Sequence, residues 1–529
     1  MKIFSYKTRF FSALFIILLS SCSKDFLDKN PTDQPSTKTF YTSKNSIDMA
    51  LTACYSTTQD VTLTVFLLPA YDCMADNGMI QTTWNNIPTL TQGPITPTSG
   101  GYIDMVYSYS YRHIARYNIF LKTLSEYQGA DVSNELKLRY EAEARLLRAM
   151  RYFELYKFYG SVPLVTEPLT MENQYQPKVE ANKILEQINA DIDFSIANLA
   201  DVSYAGNVGH LVKASGQVLK SRVLLFDAYN DDRTAKSEVM SKVKAVTSEI
   251  ISKNYYSIAP SYRGLFCGEL GKQEGNPEFI FSVKYLAPNN VPASNYSEAG
   301  RYISSAGSPG GALIPLKNFA NEYEFNNGTP FSVSNPLYDA TNVYKNRDAR
   351  MGKTLFTGTV TYENGYTGGP ITPNSPTGYS YYKHIQGSDA KDIYNSQNFG
   401  SDWPLMRYAE VLLMYAESAN EVDGPSTAVY NAVNQIRARG DILMPPLIPG
   451  LSKDQMRVAI RHERRIELAF EGFRYDDVKR WKIAETLLNM PASESVISKS
   501  FAKKNYHLPL PQAEIDISQG VLIQNPDYQ

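Results

Sequence analysis

The sequence predicts a mostly α-helical protein, in which a scaffold of tetratricopeptide-like helical hairpins carries long irregular recognition loops. Two observations lead to this fold class. Apolar residues recur at a spacing of three and four in segments that come in pairs, as in stacked helical hairpins. Between the pairs lie long stretches rich in Gly, Pro, Ser, Asn and Tyr, without helical periodicity. The strict repeat consensus is absent, so the periodicity indicates the kind of scaffold and not a particular repeat.

The chain begins with a targeting segment. Basic residues precede an apolar run over residues 10–19, which is too short for a permanent membrane span. The four residues Leu-Ser-Ser-Cys that end at Cys22 resemble a bacterial lipobox. They predict a lipoprotein signal peptide over residues 1–21 and a mature chain anchored by acyl chains, such as palmitate, on Cys22. The alternative is an ordinary secretory signal followed by an incidental cysteine.

The other cysteines predict no zinc site. They are Cys54, Cys73 and Cys267. Their number is odd, so at least one is free in an oxidising compartment. Cys54 falls on an apolar helix face with Ile47 and Leu51, where a buried, inert thiol is expected. No cofactor and no metal are predicted, although acidic loop residues such as Asp76 leave a chance calcium site open.

Helical patterns occupy most of the body of the chain. The predicted pairs are 103–127 with 135–159, 181–199 with 212–229, and 404–422 with 426–439. Another helix is predicted from Ser452 to Gly472, and Ser452 and Gln455 at its start have the spacing of a capping box. Ser426 is a good N-cap for the second helix of the last pair. Helices joined by so short a turn must lie antiparallel.

Arginines at positions 457, 461, 464 and 465 outnumber the acids three or four residues away. Local pairs cannot balance them, so they need distant partners. The glutamates of the preceding helical pair, Glu410, Glu417 and Glu421, are the candidates. We therefore predict a clamp between helices, because buried arginine networks more often fix geometry than perform chemistry.

The sequence lacks residues that the signatures of several enzyme classes require. His462 and Glu463 open a zinc-protease motif, but Ile466 stands where its second histidine is required. A phosphate loop ending at Thr354 lacks its first glycine, and no G-x-S-x-G occurs. The net charge of -2 argues against nucleic acid. We predict a binding protein and no enzyme, although paired carboxylates of a glycan-degrading enzyme would escape a sequence pattern.

Three insertions have the composition of recognition loops, at about 67–101, 287–341 and 357–403. Adaptable polar groups alternate there with rigid aromatic rings, as in variable binding loops. So long an irregular segment inside a compact domain is usually functional. Low-complexity disorder is the alternative, which the varied and aromatic sequence disfavours.

Segments along the whole chain also resemble one known family. LMRYAEVLLMYAESANE, AVNQIRARGD and RHERRIELAFEGFRYDDVKRWK are similar to the C-terminal signature of the SusD/RagB family of outer-membrane nutrient-binding lipoproteins. Further similar segments are FLDKNPTDQPSTKTFYTSKNSIDMALTACY, AEARLLRAMRYFELYKFYGSVPLV, GHLVKASGQVLKSRVLLFDAY, GNPEFIFSVKY, NRDARMGKTL and YHLPLPQAEIDISQGVLIQNPDY. The resemblance implies a single SusD-like domain over residues 22–529.

The resemblance also implies a function. Family members bind oligosaccharides at the cell surface and sit as a lid on a SusC-like, TonB-dependent transporter of the outer membrane. The RagB branch makes peptides an alternative ligand. A glycan-degrading enzyme and a pure protein–protein scaffold are further alternatives. Nothing in the sequence identifies the particular glycan.

Candidate ligand-binding residues follow from residue type and position. They are Trp84, Asn85, Asn86, Asp76 and Asn77 in the first loop, with Tyr296, Tyr302 and Tyr323 from the later loops. An indole packs on the C–H face of a sugar ring, while amides and carboxylates bind its hydroxyl groups. The tyrosines are included because family members complete an arc of aromatic rings from their later loops. The alternative is that Trp84 only packs the loop onto the helices.

Overall fold

The structure is a computed structural model that describes residues 41–60, 67–80, 86–202, 208–267, 274–286, 313–356, 376–384, 401–492 and 497–529. Its helices are α1 (Lys44–Tyr55), α2 (Leu67–Met74), α3 (Ile87–Gln92), α4 (Tyr102–Glu126), α5 (Asn134–Tyr159), α6 (Ala181–Asn198), α7 (Lys213–Phe226), α8 (Ser237–Ser252), α9 (Lys317–Glu322), α10 (Arg350–Thr354), α11 (Tyr408–Asp423), α12 (Thr427–Arg437), α13 (Lys453–Glu467), α14 (Arg474–Arg480), α15 (Ala484–Leu487) and α16 (Gln512–Ile517). The strands are β1 (Gly78–Ile80), β2 (Phe279–Val283), β3 (Leu313–Pro315), β4 (Leu355–Phe356), β5 (Ser380–Tyr381) and β6 (Trp403–Arg407). The mostly helical fold class is confirmed.

The helices form a continuous stack. α4 packs on α5, α5 on α6, α6 on α7, α7 on α8, and α8 on α11, which then contacts α12 and α13. The three predicted helical pairs are therefore present as neighbours. The sequence did not reveal α8, which joins the second pair to the third. Its buried residues, Met240, Val243, Thr247 and Ile250, nevertheless recur at the spacing of a helical stripe.

Local capping chemistry sets the helix ends as the sequence indicates. The Ser452 and Gln455 side chains form a reciprocal capping box at the start of α13. Ser426 accepts a hydrogen bond from the backbone N–H of Val429 and caps α12. Both predicted caps are confirmed.

Two parts of the prediction are wrong. The segment 67–101 is not irregular, because it contains α2, β1 and α3. Its first helix has apolar residues around much of its circumference, so no amphipathic period marks it in the sequence. The helix predicted from residue 404 begins at Tyr408, since Trp403–Arg407 forms β6 and pairs with β2. Strand and helix follow each other there without a glycine or loop between them.

The strands form two-stranded antiparallel pairs in the described part of the chain. β1 pairs with β3, β2 with β6, and β4 with β5. All three pairs join segments that are far apart in sequence. They tie the predicted loop regions to the helical stack.

The predicted arginine clamp is confirmed only at Arg457, because Arg464 pairs with Asp477 and Arg465 with Asp76 and Glu322. Arg457 binds Glu421, as expected for a contact between α13 and α11. Glu417 instead pairs with Arg480 of α14, at 2.6 and 2.7 Å. Glu410 pairs with Arg222 of α7. The charges connect helices, as predicted, but they join four elements and not two.

The described cysteines form no disulfide. Cys54 is fully buried on α1 with Ile47 and Leu51, as predicted. Burial raises the pKa of its thiol to about 12, so it is inert as a nucleophile. Within the described residues, no helix combines the length and apolar character that crossing a membrane requires.

Candidate ligand-binding face

Two of the loops predicted to bind ligand join the scaffold at one strand end. β1 and β3 pair so that Ile80 lies opposite Leu313. Segment 81–85 leaves β1 at that point, and segment 287–312 enters β3 there. The candidates within these segments, which are outside the described residues, are Trp84, Asn85, Tyr296 and Tyr302. Their loops are therefore attached side by side.

A third loop is attached at the same place. Segment 357–375 is followed by Thr377, whose hydroxyl donates a hydrogen bond of 2.7 Å to the carbonyl oxygen of Pro315 in β3. The next strand, β5, also contacts β3. Three of the predicted loop segments thus have one end at the pair of β1 and β3 or at its neighbour β5.

A second attachment point lies at the pair of β2 and β6. Val283 is opposite Trp403 there. Just beyond, the Lys284 ammonium lies 2.5 Å from the Asp402 carboxylate, which also accepts a hydrogen bond from the backbone N–H of Tyr285. The start of segment 287–312 and the end of segment 385–400 therefore meet at this pair.

A row of aromatic rings connects the two attachment points. Phe470 packs between Phe319 and Tyr381, with ring centroids 5.7 and 5.2 Å away. Tyr381 contacts His384, which stacks on Trp403 at 3.8 Å with the planes 11° apart. Burial and the nearby Lys383 ammonium hold the pKa of His384 well below its usual range, so its ring is neutral. We call these rings and the strand ends beside them the loop base.

Asp76 and Asn77 anchor the first loop and do not face a ligand. Two hydrogen bonds, at 2.7 and 2.9 Å, join the Asp76 carboxylate to Arg474. The side-chain Oδ1 of Asn77 accepts a hydrogen bond from Arg465, and its side-chain amide donates one to Asp72. Asp76 is only 4% exposed and Asn77 is fully buried. The prediction that these two side chains bind ligand is corrected, since the scaffold occupies their polar atoms.

Burial also removes Tyr323 from the set of candidate ligand contacts. Its ring has no exposed surface and packs edge-on against Phe319. A ring without accessible surface cannot stack on a sugar, so this part of the prediction is corrected. Asn86 is the remaining candidate that the structure describes, and unlike Asp76, Asn77 and Tyr323 it is exposed. Its backbone has φ 50°, and its amide donates to the carbonyl oxygen of Ser99.

Lys499 is an anchor that the sequence did not suggest. Its ammonium donates to the carbonyl oxygens of Cys73 at 2.8 Å and Gly78 at 2.5 Å, and also to that of Ala75. The site lies at the C-terminal end of α2, where a cation is favourable because of the helix dipole. Burial lowers the pKa of Lys499 to about 8. Cations from the C-terminal part of the chain thus hold the turn that leads into the first loop.

Asp76→Ala is expected to lower the free energy of unfolding by about 3 kcal/mol, because it leaves the buried Arg474 and the largely buried Arg465 without their shared carboxylate. Thermal and urea unfolding measure this loss. Asn86→Gly is the matched control, since glycine keeps the positive φ and the side chain is exposed. We expect its melting temperature to stay near that of the wild type. Equal stability of Asp76→Ala and wild type would contradict the anchoring role.

Asp72→Asn should make stability less dependent on pH. Burial raises the pKa of Asp72 to about 7 in the folded protein, from an ordinary value of 3.8, although hydrogen bonds from Phe470 and Asn77 oppose the rise. Because the folded pKa is the higher one, the contribution of this group is full below about pH 4 and is lost as pH rises to 7. The loss is at most about 4 kcal/mol.

Asparagine cannot ionise, so the variant should melt above the wild type at pH 8 and lose that advantage at pH 5. Melting curves between these pH values test this expectation. A difference in melting temperature that stays constant across the range would show that Asp72 does not titrate there.

In the described part of the chain, no group of three or more His, Cys, Asp or Glu side chains is placed to hold a metal ion. The features that are present are a helical stack and several loops attached to one base. Together they define a protein in which a stack of helical hairpins carries a candidate binding face made of loops.

Comparison with known proteins identifies the family. A model described as the SusD family matches residues 277–528, and one described as starch-binding associating with outer membrane matches residues 25–225. A SusD-like protein of Formosa agariphila is 27% identical over 405 residues, which cover 73% of this chain and 74% of that protein. A second SusD-like protein of that organism is 26% identical over 495 residues, covering 89% and 91%. The chain belongs to the SusD/RagB family.

Solved structures agree with this assignment. A SusD-like carbohydrate-binding protein of Bacteroides fragilis has a TM-score of 0.76 and 25% identity, covering 93% of this chain and 100% of that one. Surface glycan-binding protein A of Bacteroides thetaiotaomicron, solved in complex with laminarihexaose, has a TM-score of 0.68 and 21% identity, covering 92% and 100%. The second likeness supports the fold alone.

Proposed function

We propose that this protein is a lipid-anchored protein of the outer membrane that binds oligosaccharides at the cell surface and delivers them to a SusC-like, TonB-dependent transporter. In this proposal it acts as a lid on the transporter. The observation that carries the proposal is the loop base, where the ends of several tyrosine- and asparagine-rich segments meet. The carbohydrate-binding relatives with the same fold support it.

The proposed ligand contacts are Trp84, Asn85, Asn86, Tyr296 and Tyr302. The loop base brings the attachment points of their loops together, so aromatic rings and side-chain amides can be presented from one side of the scaffold. A flat ring offers apolar surface to the C–H face of a sugar, and amides both donate to and accept from hydroxyl groups. The face does not include Asp76, Asn77 and Tyr323, which are buried in the scaffold to which the loops are attached.

A calorimetric screen of the mature protein against oligosaccharides of defined linkage tests the binding function. Laminarihexaose belongs in the screen because a structural neighbour was solved with it. We expect saturable binding of at least one oligosaccharide and no new reducing ends after long incubation. Binding of peptides without any sugar would favour the RagB-like alternative. New reducing ends would instead establish a glycan-degrading enzyme.

The transporter partnership requires a separate test. We expect the protein, when isolated from outer membranes in mild detergent, to bring a TonB-dependent transporter with it. A lid role predicts that deleting the gene reduces uptake of the bound oligosaccharide and spares unrelated sugars. Isolation of the protein without a transporter, together with unchanged uptake, would contradict the partnership.

Cys22→Ala is expected to release the folded protein from the membrane, because the variant lacks the residue that carries the acyl chains. Fractionation of cells into membrane and soluble material measures the change. Melting temperature and oligosaccharide affinity should match those of the wild type. Undiminished retention of the variant in the outer membrane would rule out Cys22 as the anchor.

A further inference from the structure

A cleft lies between the helical scaffold and the turn that leads into α14. Helices α5 and α7 form two of its walls, and apolar surface comes from Met150, Phe153, Leu219, Phe226 and Phe473. About 90 Å³ is open to the centres of water molecules. Because one buried water needs roughly 10–15 Å³ of such volume, the cleft has room for about six waters. A molecule the size of one monosaccharide occupies a similar space, and an oligosaccharide exceeds it.

The charged side chains that line this cleft balance one another. Asp476 lies 2.6 Å and Glu154 3.0 Å from the Lys157 ammonium. Burial opposes ionisation of Glu154, but the charges of Lys157 and Arg151 outweigh burial and hold the pKa of Glu154 below its usual value. The other charged lining residues are also paired: Arg222 with Glu410, Arg464 with Asp477, Arg480 with Asp477 and Glu417, and Glu471 with Lys383 and Arg407. A ligand with a net charge would upset this balance, so the cleft favours a neutral molecule.

Three polar atoms of the lining side chains nevertheless have no hydrogen-bond partner in the described part of the chain. They are Nη1 of Arg151, Nη1 of Arg464 and Oδ1 of Asp476. The two arginines are 7% and 4% exposed, and Nε of Arg464 already donates to Asp477 at 2.8 Å. Two donors and one acceptor therefore remain, and burial of such atoms without partners costs free energy.

Hydroxyl groups match these three atoms. A hydroxyl oxygen accepts a hydrogen bond from a guanidinium, and its O–H donates one to a carboxylate, without adding charge to the cleft. The rings of Phe153, Phe226 and Phe473 offer apolar surface to the C–H groups of the same molecule. A neutral monosaccharide combines hydroxyl groups and C–H groups at the size that the cleft admits.

We propose that this cleft is a second binding site, which takes one neutral monosaccharide and bonds its hydroxyl groups to Arg151, Arg464 and Asp476. The proposal goes beyond oligosaccharide capture by the loops, because it concerns a smaller ligand in a separate cleft. It uses none of the residues proposed to bind oligosaccharide.

Calorimetric titration of the mature protein with D-glucose, D-galactose and D-mannose tests the proposal. We expect saturable binding of at least one of these sugars. Arg151→Met should lose at least tenfold in affinity for it, because the variant keeps the apolar stem but lacks the hydrogen-bond donor. If none of the three sugars binds at millimolar concentration, the cleft holds water only and the proposal is overturned.

Arg139→Met is the matched control on the same helix. Arg139 pairs with the exposed Glu135 and is not one of the residues that line the cleft. The affinity of this variant for the bound sugar should equal that of the wild type. An equal loss of affinity in both variants would contradict a contact between the sugar and Arg151.

Stability supplies a second readout that does not depend on heat of binding. Arg151→Met leaves Glu154 its partner Lys157, so the variant should remain folded. A bound sugar raises the melting temperature by mass action. Sugars also stabilise proteins in general, because they are excluded from the protein surface. The measure is therefore the difference between the two proteins: the bound sugar should raise the melting temperature of the wild type more than that of Arg151→Met, and an equal rise would overturn the assignment.

Charged analogues define the ligand class. The uronic acid and the cationic amino sugar with the configuration of the bound sugar each add a charge that the paired side chains of the cleft do not offset. Each should therefore bind at least tenfold more weakly than the neutral sugar. Equal binding of either analogue would overturn the neutral class.

The two binding proposals can fail separately. Trp84→Ala, which should lose oligosaccharide binding, should keep monosaccharide binding, and Arg151→Met should keep oligosaccharide binding. Loss of both ligands in either variant would indicate one shared site and would overturn the second site.

Discussion

Glu467→Ala is expected to lower the free energy of unfolding by about 5 kcal/mol, the upper end of the range for breaking a buried ion pair. Its carboxylate accepts hydrogen bonds from Arg439 at 2.6 Å, Arg407 at 2.7 Å and Arg350 at 3.0 Å. The Glu467 side chain is fully buried, and no side chain in the group is more than 2% exposed. Alanine would leave three buried guanidinium groups to share the remaining carboxylates.

The consequences of this change should extend through several elements. Arg439 follows α12, Arg407 ends β6 and Arg350 begins α10, so the carboxylate joins three elements to α13. Burial opposes its ionisation, but the three arginines outweigh burial and hold the pKa of Glu467 well below its usual range. It remains charged at neutral pH. The network therefore depends on this charge.

Urea and thermal unfolding measure the effect, with Glu135→Ala as the control. Glu135 also pairs with an arginine, but its side chain is 85% exposed, and such pairs contribute about 0–1 kcal/mol. We expect the control to unfold near the wild-type midpoint. If both variants unfolded at the same midpoint, the network around Glu467 would not stabilise the fold as described.

The helical hairpins could be predicted because their signals are local. Capping residues, an apolar period and a terminating glycine all lie within one helix, as in α12 and α13. Helix α2 has no such signal, since it is apolar around much of its circumference. Strand β6 cannot be told from helix in the sequence, because it runs directly into α11 and its apolar residues continue the stripe of that helix.

The candidate site was less predictable, because its supports come from distant parts of the chain. Asp76 is polar and lies in a loop, which suggested a ligand contact. Its partners Arg465 and Arg474 follow 389 and 398 residues later. A single sequence contains no pattern that connects residues so far apart. The arginine excess did indicate distant partners, but not which carboxylates they are.

Trp84→Ala is expected to weaken oligosaccharide binding at least tenfold, which corresponds to about 1.4 kcal/mol or more. The change removes the indole proposed to pack on the sugar ring. The chain has three tryptophans, and the other two, Trp403 and Trp481, are 2% and 1% exposed. A change in tryptophan emission on ligand addition should therefore report mainly on Trp84. That change should be absent from the variant.

The alternative for Trp84 is a purely structural role. In that case Trp84→Ala would lower the melting temperature substantially, as truncation of a buried aromatic ring costs about 3–5 kcal/mol. Under our proposal the melting temperature stays near that of the wild type. Tyr255→Ala is the control for loss of an aromatic ring, because Tyr255 is 47% exposed and follows α8, outside the loops.

The most direct test is a calorimetric titration of the wild type, Trp84→Ala and Tyr255→Ala with the oligosaccharide found in the screen. We predict the same dissociation constant for the wild type and Tyr255→Ala, and one at least tenfold higher for Trp84→Ala, with all three proteins melting at similar temperatures. Wild-type affinity in a stably folded Trp84→Ala protein would contradict a binding face built on the first loop.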